Sequence, residues 1–429
     1  MNKINEILHE HYNINNDIVE FVKNNEKELT NYFEEIDEIK TYNQFKVLKA
    51  LKDNRLSATD FYWTTGYGYG DYGRDKTEDI YSQIFKTEDS LVRPSIASGT
   101  HAINLVLSGL LKSGDELIEI SGTPYDTLVK VIGADSEDNT GSLIDNGILY
   151  KEIKLKNNKI DVETVLSSIS LKTKMLAIQR STGYSDRFAL TINEMERAIK
   201  LIKSKYPNII FFVDNCYGEF TDIKEPTEVG ADIIAGSLIK NIGGGIAISG
   251  GYVCGKKGLV QIVSRRLTAP GLEKDVGLSF GTTRLTLQGL YMAPLVVSQA
   301  LKGALLVGKV FSSLGYKIVP KITQKRSDIV QGIEFNDPNL VKIFCESIQE
   351  ASAVDSHVTP TPTPMPGYNN DIIMAAGGFV DGSSIEMSAD GPLREPYYVY
   401  FQGGLNLDQI KLGIYISLNK MIEKRYIEI

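Results

Sequence analysis

Short apolar runs and helical patterns alternate along the middle of the chain, from about residue 90 to residue 255. Short segments rich in apolar residues and bounded by polar or turn residues are typical of buried strands. Five such runs predict strands: Glu116–Ile120, Met175–Ile178, Ile209–Val213, Asp232–Ala235 and Tyr252–Cys254. Alternation with helices predicts an α/β fold, with a mostly parallel sheet flanked by helices.

One of the intervening helices has a clear start signal. The segment TINEMERAIKLIK, residues 191–203, begins with Thr191 and carries Glu194 three residues later, the spacing of a capping box. Its apolar residues then recur at three- and four-residue intervals and share one face of a helix: Ile192, Met195, Ile199 and Ile202. This helix is expected to cover the predicted sheet.

The two ends of the chain have different patterns. Residues 1–60 show mainly helical periodicity with charged faces, which predicts an N-terminal arm laid over a partner. A large domain is predicted over 61–300 and a smaller α+β domain over 301–429. Within the last region we expect a strand at 316–320, a helix that starts at Asp337, and a final helix over 407–423. A long helix over 285–314 precedes them, and the proline-rich segment 359–368 predicts a stiff surface or active-site loop.

Composition narrows the possible partners. The chain has 429 residues and a net charge of −8, which does not favour binding to nucleic acid or to an anionic membrane. Its three cysteines are widely spaced and its histidines number only four, which argues against a disulfide framework or a zinc site. The polar N-terminus does not have the pattern of a signal peptide, so a cytoplasmic protein is expected.

Two short segments carry the strongest chemical signal. VDNCYGEF, residues 213–220, places Asp214 at the end of an apolar strand, and GSLIKN, residues 236–241, places Ser237 and Lys240 at the end of the next. Ligand sites of open α/β sheets lie at these carboxyl ends. A lysine that forms a Schiff base and an aspartate that pairs with a pyridine nitrogen suit pyridoxal phosphate, and we expect this cofactor.

The order of these motifs resembles that of fold-type I pyridoxal phosphate enzymes of the cystathionine lyase and methionine γ-lyase group, and more closely the aluminium-resistance branch. The resemblance extends from about residue 60 to the C-terminus. It implies a type I transferase fold, with Asp214 at the pyridine nitrogen, Lys240 as Schiff base and general base, and Ser237 at the phosphate. It also implies that Ser98, Gly99 and Thr100 form the phosphate loop. Tyr125 would then stack on the ring and protonate the leaving group.

The segment GYGYGDYGR, residues 66–74, contains a literal G-x-G-x-x-G and raises the alternative of a nicotinamide-dependent oxidoreductase. No apolar strand pattern precedes Gly68, as a dinucleotide-binding turn requires. The resemblance gives the segment another role, because members of the group carry a tyrosine and an arginine two residues apart that reach the neighbouring subunit's phosphate. Tyr72 and Arg74 match that pattern, which implies a homodimer or homotetramer with shared active sites.

The residue that binds the substrate carboxylate is less well defined. A guanidinium suits a carboxylate because it donates two parallel hydrogen bonds, and Arg394 is the first candidate, with Arg180 the second. The chain departs from better-known lyases at 179–184, where QRSTGY replaces their E-S-P-x-N-P segment, and at Ile239, where they often have a hydroxyl. His101 either lies near the cofactor or caps a helix, and Cys216 is interpreted as a small buried residue.

The expected function is therefore a pyridoxal phosphate-dependent carbon–sulfur lyase acting on a sulfur-containing amino acid, by β- or γ-elimination of the cystathionine β-lyase or methionine γ-lyase type. An aminotransferase or aldolase would share Asp214 and Lys240 and remains an alternative. A non-catalytic pyridoxal phosphate-binding protein with a role in stress response is another. The physiological thioether is left open.

Overall fold

The structure, a computed structural model, describes residues 3–134, 139–183, 185, 187–364 and 370–429. The chain forms two compact units. The large unit is Tyr42–Pro294, and the C-terminal unit combines Met1–Thr41 with Leu295–Ile429. This division differs from the predicted one at the N-terminus, because the first 41 residues belong to the same unit as the end of the chain.

Three helices open the chain: α1 (Lys3–Tyr12), α2 (Asn16–Lys27) and α3 (Thr30–Asp53), of which the last crosses the unit boundary. The side chain of Asn15 caps α2 by accepting a hydrogen bond from the backbone N–H of Asp17. Ile18 and Val22 on α2 are buried. Glu26 forms an ion pair with Lys411 near the end of the chain, with 2.7 Å between Nζ and Oε1. The apolar periodicity of this region therefore serves packing within the C-terminal unit.

The large unit is built on a seven-stranded sheet in the order β1-β7-β6-β5-β4-β2-β3. Strands β2 to β6 form parallel pairs with their neighbours, and β7 is antiparallel to both β6 and β1. The strands are β1 (Asp89–Arg93), β2 (Glu116–Glu119), β3 (Leu149–Glu152), β4 (Thr173–Gln179), β5 (Ile210–Asp214), β6 (Ile233–Ser237) and β7 (Gly251–Gly255). The mostly parallel sheet predicted from the sequence is confirmed.

Helices connect these strands and cover the sheet. They are α4 (Tyr72–Ile84), α5 (Gly99–Leu110), α6 (Asp126–Ile132), α7 (Val162–Ser168), α8 (Ile192–Lys203) and α9 (Lys257–Leu267). The predicted start of α8 forms only half of a capping box. The Thr191 side chain accepts from the N–H of Glu194, but the Glu194 carboxylate accepts from the N–H of Ile160 instead of closing back on Thr191.

The segment before Gly68 forms a 3₁₀ turn, Ala58–Phe61, and further turns lead from it to α4. Asp71 caps that helix, because its side chain accepts from the N–H of Arg74. Gly68 and Gly70 both have positive φ angles, +77° and +70°, which suit glycine. The glycine-rich run is thus a turn before a helix with no strand in front of it, and the geometry of a dinucleotide-binding strand–turn–helix is not present here.

The long apolar helix α10 (Thr283–Ser313) runs across the unit boundary and contains Pro294. By length and composition it is apolar enough to cross a membrane, yet 72% of its most apolar window is buried inside the protein. Burial of that kind is found in core helices, because a membrane span would present its apolar side chains to lipid.

The C-terminal unit contains a five-stranded antiparallel sheet in the order β10-β11-β12-β9-β8. Its strands are β8 (Lys317–Val319), β9 (Val330–Glu334), β10 (Ile372–Ala376), β11 (Ser388–Pro392) and β12 (Tyr398–Gln402), and helices α11 (Pro338–Glu350) and α12 (Leu407–Glu423) accompany them. Cys345 on α11 is fully buried in this unit, as Cys254 on β7 is in the large unit. Of the proline-rich loop, residues 365–369 lie outside the described part of the chain.

Candidate active site

The predicted site residues of the large unit come together at the carboxyl edge of its sheet. Asp214 is the last residue of β5 and Ser237 the last of β6, and these strands are parallel neighbours with Asp214 opposite Ala235. Lys240 follows three residues after Ser237, where a 3₁₀ turn over Asn241–Gly243 begins. The two apolar runs seen in the sequence therefore deliver the carboxylate and the amine to the same edge.

The carboxyl group of Asp214 is 5% exposed. Its Oδ1 atom accepts a hydrogen bond of 3.1 Å from the N–H of Cys216, and no cation lies within ion-pair distance in the described chain. Burial raises the pKa of Asp214 above its ordinary value, and the nearby charge of Lys240 opposes this rise. A positively charged group placed against this carboxyl would stabilise its ionised form.

The amine of Lys240 lies over the ring of Tyr217, with 4.1 Å between Nζ and the ring centroid. Burial lowers the pKa of Lys240, but electrostatic interactions with Cys216, Tyr217 and Asp214 more than offset this and raise it above the ordinary value. Within the described residues no carboxylate forms an ion pair with Nζ. The amine therefore has no fixed partner of opposite charge in this part of the chain.

The N-terminus of α5 lies against the end of β6. A Cβ atom added to Gly99 would be 3.2 Å from Cβ of Ser237 and 3.3 Å from Sγ of Cys216, so a larger residue would crowd this junction. The backbone N–H groups of Gly99 and Thr100 have no hydrogen-bond partner in the described chain, whereas that of His101 donates to Ser98 Oγ. Two free N–H groups at a helix N-terminus, next to a serine, form a site suited to a phosphate.

His101 has a structural contact in this loop. Its Nδ1 atom accepts a hydrogen bond of 3.0 Å from the backbone N–H of Ala97, and burial lowers its pKa. Of the two interpretations of His101, the structure favours the capping one. Cys216 is 5% exposed, and burial raises the pKa of its thiol well above the ordinary value, which agrees with a small buried residue.

Tyr125 is held at both of its polar ends. Its hydroxyl is 2.8 Å from Thr100 Oγ1, and its backbone N–H donates to Oε1 of Gln179, the last residue of β4. Burial raises the pKa of Tyr125, and the charge of Asp214 raises it further. The hydroxyl therefore keeps its proton at neutral pH and is available as a proton donor beside the phosphate loop.

Arg180 is fully buried. Its Nη1 atom donates to Asn215 Oδ1 at 2.8 Å and to Glu225 Oε2 at 3.3 Å, and Nη2 donates to Thr221 Oγ1 at 3.0 Å. Substrate binding by Arg180 would require it to give up these contacts. Arg394 is an exposed residue after β11, in the C-terminal unit, and its role as substrate ligand stays a prediction.

Arg74 is 4% exposed and its guanidinium binds groups of its own chain. Nη1 donates to the carbonyl oxygens of Gly68 and Gly277, both at 3.0 Å, and Nε donates to Asp75. Tyr72 is by contrast 77% exposed. The contact of both residues with a neighbouring subunit's phosphate stays a prediction, and for Arg74 the donors left for it are few.

Three residues of the site were not identified from the sequence: Tyr217, Glu219 and Asn241. They lie in the same two sequence segments as Asp214 and Lys240. The periodicity of apolar residues and the spacing of motifs do not show that the turn after β5 contacts the turn after β6. Tyr217 has a positive φ angle of +69°, which is uncommon for a residue with a large side chain. Backbone strain of this kind next to a reactive group is a feature of functional sites.

These features define a class: an α/β protein with a lysine, an aspartate and a helix N-terminus that has free N–H groups at one sheet edge. The family model for methionine gamma-lyase matches residues 18–422, and the chain belongs to this family. It is 46% identical over 94% of its length to the uncharacterised protein YnbB of Bacillus subtilis, of which the match covers 96%.

Solved structures agree over nearly the whole chain. A candidate cystathionine beta-lyase involved in aluminium resistance from Clostridium acetobutylicum is 46% identical, with a TM-score of 0.95 and coverage of 98% of this chain and 99% of that one. A carbon-sulfur lyase involved in aluminium resistance from Clostridium novyi is 44% identical, with a TM-score of 0.94 and the same coverage. The family resemblance and the fold class inferred from the sequence are confirmed.

Proposed function

We propose that the protein is a pyridoxal phosphate-dependent carbon–sulfur lyase that acts on a sulfur-containing amino acid. The observation that carries the proposal is the position of Asp214 and Lys240 at adjacent strand ends, beside the free N–H groups of α5. Membership of the methionine gamma-lyase family supports it, as does the name of the C. novyi relative, a carbon-sulfur lyase. Elimination of the cystathionine β-lyase or methionine γ-lyase type is the specific reaction proposed.

The residues present fit the cofactor. The N–H groups of Gly99 and Thr100 and the hydroxyl of Ser237 would bind its phosphate, and the buried Asp214 carboxyl, which lacks a cationic partner in the described chain, would pair with its ring nitrogen. Tyr125 would cover one face of the ring, and Lys240 would bind its aldehyde. When bound, pyridoxal phosphate withdraws electrons from the substrate's α-carbon and so makes its proton acidic.

Two protein groups would move protons. The Nζ atom of Lys240 would take the proton from the α-carbon, and the hydroxyl of Tyr125, whose raised pKa keeps it protonated, would give a proton to the departing sulfur. The carbon–sulfur bond breaks and a thiol leaves. Water then releases ammonia from the remaining fragment, so the products are a keto acid, ammonia and a sulfur compound.

The subunits are proposed to pair as a homodimer or homotetramer with shared sites. Tyr72 lies among other exposed aromatic residues near the start of the large unit: Tyr62, Trp63, Tyr67 and Tyr69 are each more than 60% exposed. Clusters of exposed apolar side chains are typical of interaction surfaces. A cytoplasmic location is likewise part of the proposal.

Absorbance spectroscopy and product analysis test the function. The purified protein is expected to have the yellow absorbance of lysine-bound cofactor, and cystathionine or methionine should yield pyruvate or 2-oxobutyrate with ammonia when no keto-acid acceptor is present. Lys240→Ala should remove both colour and turnover. Lys174→Ala, at an exposed lysine of β4, is the matched control and should keep both.

Other results would separate the alternatives. Turnover that needs a keto-acid acceptor would indicate an aminotransferase. A yellow protein that forms no product from any sulfur amino acid would indicate a non-catalytic binder. A colourless protein, or normal turnover by Lys240→Ala, would refute the proposal.

A further inference from the structure

The turn that follows β5 has an unusual backbone. Tyr217 and Phe220 both adopt left-handed φ angles, +69° and +61°, although neither is glycine or asparagine. Residues with large side chains avoid this region because Cβ crowds the backbone. Something in the surrounding structure must therefore hold the turn, which we call the 215–220 turn, in this form.

One restraint comes from the residue directly after Lys240. The side-chain amide of Asn241 donates two hydrogen bonds into the 215–220 turn, to the carbonyl oxygen of Tyr217 at 2.9 Å and to that of Glu219 at 3.1 Å. Asn241 is fully buried, so these bonds do not compete with water. The turn after β5 and the turn after β6 are thereby fixed to each other beside Lys240.

A second restraint comes from the side chain of Glu219. This carboxyl group is fully buried, and its Oε1 atom accepts a hydrogen bond of 2.7 Å from the hydroxyl of Tyr252 on β7. Tyr252 itself packs against the backbone of β6, because a Cβ atom on Gly236 would come within 2.6 Å of its ring. Glu219 therefore ties the turn to the strand that leads to Ser237 and Lys240.

The result of both restraints is a fixed aromatic face for the amine. The Tyr217 ring centroid lies 4.1 Å from Nζ of Lys240, which is well within the range of a cation–π contact. Such a contact attracts the ammonium form and leaves the neutral amine almost unaffected. The ring thus favours the state of Lys240 that exists after the amine has taken up a proton.

We propose that Tyr217 is a positioning residue that receives the protonated amine of Lys240, and that Asn241 and Glu219 hold it in place for this purpose. The inference rests on the proposed function, in which Nζ takes the substrate's α-proton. The bond between the α-carbon and hydrogen breaks, its electron pair stays on carbon, and Nζ becomes an ammonium group. The Tyr217 face then stabilises that ammonium group near the site until Nζ gives its proton to a carbon of the fragment that remains after the carbon–sulfur bond has broken.

The test measures the protonation of Lys240 directly. The full chain is freed of any bound pyridoxal phosphate with hydroxylamine, labelled competitively with acetic anhydride over a pH series, and read at Lys240 by mass spectrometry. Only a neutral amine reacts. In Tyr217→Leu the loss of the ring should lower the apparent pKa by about one unit, a tenfold change in the ratio of ammonium to amine.

Three further variants make the test specific. Tyr217→Phe keeps the ring and should retain the wild-type labelling profile. Asn241→Ala keeps the ring but loosens the turn, so the apparent pKa of Lys240 should fall, as in Tyr217→Leu. If circular dichroism shows that Tyr217→Leu does not fold, Asn241→Ala provides the test of the proposal. Tyr291→Leu, at a 44% exposed tyrosine of α10, is the control.

Wild-type labelling profiles in folded Tyr217→Leu or Asn241→Ala would overturn the inference, as would a Tyr217→Phe profile equal to that of Tyr217→Leu. Labelling needs no cofactor, so its outcome is independent of whether the purified protein is yellow. A colourless protein would refute the proposed function. The measured effect of Tyr217 on the protonation of Lys240 would still stand, without its proposed part in catalysis.

Discussion

Asp214 is a buried carboxyl group that accepts a hydrogen bond from the N–H of Cys216 and has no cation within ion-pair distance in the described chain. Isolated buried charges cost free energy, which is why burial raises its pKa. Burial of the Asp214 charge is unfavourable for folding, although the strand that carries it is well formed. This combination indicates that a bound ligand is the partner of the carboxyl group. The ring nitrogen of the cofactor is the partner proposed above.

The Asp214→Asn variant should affect the stability of the fold and the rate of turnover in different ways. The amide removes the cost of burying a charge, so the unfolding free energy of the cofactor-free protein should stay the same or rise by about 1 kcal/mol. Turnover should fall about 10- to 100-fold, the usual range for loss of a hydrogen bond to a charged group. Chemical denaturation and steady-state kinetics check the two expectations, and a strongly destabilised variant would contradict them.

Helix α5 is the element whose position matters most for the proposed phosphate site. It contains two glycines with different surroundings. A Cβ atom at Gly99 would have tight contacts of 3.2 Å and 3.3 Å, whereas a Cβ atom at Gly109 would have its nearest neighbour 3.5 Å away, an ordinary contact. The two positions therefore form a matched pair within one helix.

Gly99→Ala should shift α5 away from the end of β6 and lower the affinity for pyridoxal phosphate about tenfold, because hydrogen bonds to a charged phosphate depend on distance. Gly109→Ala should leave that affinity unchanged and raise the unfolding free energy by about 0.5 to 1 kcal/mol through helix propensity. Cofactor titration followed by absorbance, with thermal denaturation in parallel, checks both. Equal effects of the two substitutions would contradict the assignment of α5.

Glu219 in the 215–220 turn should make the unfolding free energy depend on pH. Burial raises the pKa of Glu219 to about 8, while the hydrogen bond from Tyr252 and the charge of Lys240 oppose the rise and the charge of Glu225 adds to it. Tyr81 and Cys216 also lie in its electrostatic environment. The folded protein therefore binds a proton at Glu219 over a pH range in which the unfolded chain, with a pKa of 4.5, has released it.

This difference makes the unfolding free energy fall as pH rises from 4.5 to about 8. Glu219→Gln should flatten part of that fall, since glutamine does not titrate. Glu119 is a buried residue at the end of β2, and burial also raises its pKa to about 8. Its contribution to the fall in unfolding free energy should remain in the Glu219→Gln variant. Melting temperatures across the pH range check this, and a Glu219→Gln curve as steep as that of the wild type would be inconsistent with it.

For the molecule as a whole, sequence patterns located the large sheet because its inner strands are continuous apolar runs, such as Ile209–Val213. They did not locate β1, a short strand over Asp89–Arg93 with only two apolar residues, nor β3, whose residues Leu149–Glu152 are largely exposed and lack an apolar pattern. At the site, Asp214 and Lys240 were found because each follows an apolar run. The contact of Tyr217 with Lys240 was not found from the sequence, because it depends on the tertiary packing of two turns more than 20 residues apart.

Shared active sites can be tested by mixing subunits. Lys240→Ala and Tyr72→Ala should each be inactive alone, and a mixed dimer should have one complete site, made from the intact Lys240 of one subunit and Tyr72 of the other. Statistical mixing should therefore restore about a quarter of wild-type activity. Co-expression with two affinity tags and an activity assay checks this. Activity no higher than that of the two parents would place each site within one subunit.

The buried cysteines give each unit its own internal probe. Cys254 lies in the large sheet and Cys345 in α11, both fully buried, and burial raises the pKa of each thiol well above its ordinary value. Only the thiolate reacts with alkylating reagents, so each thiol is protected until its surroundings open. The rates at which iodoacetamide modifies the two positions in one sample would thus report the local opening of the large and the C-terminal unit separately, without any engineered label.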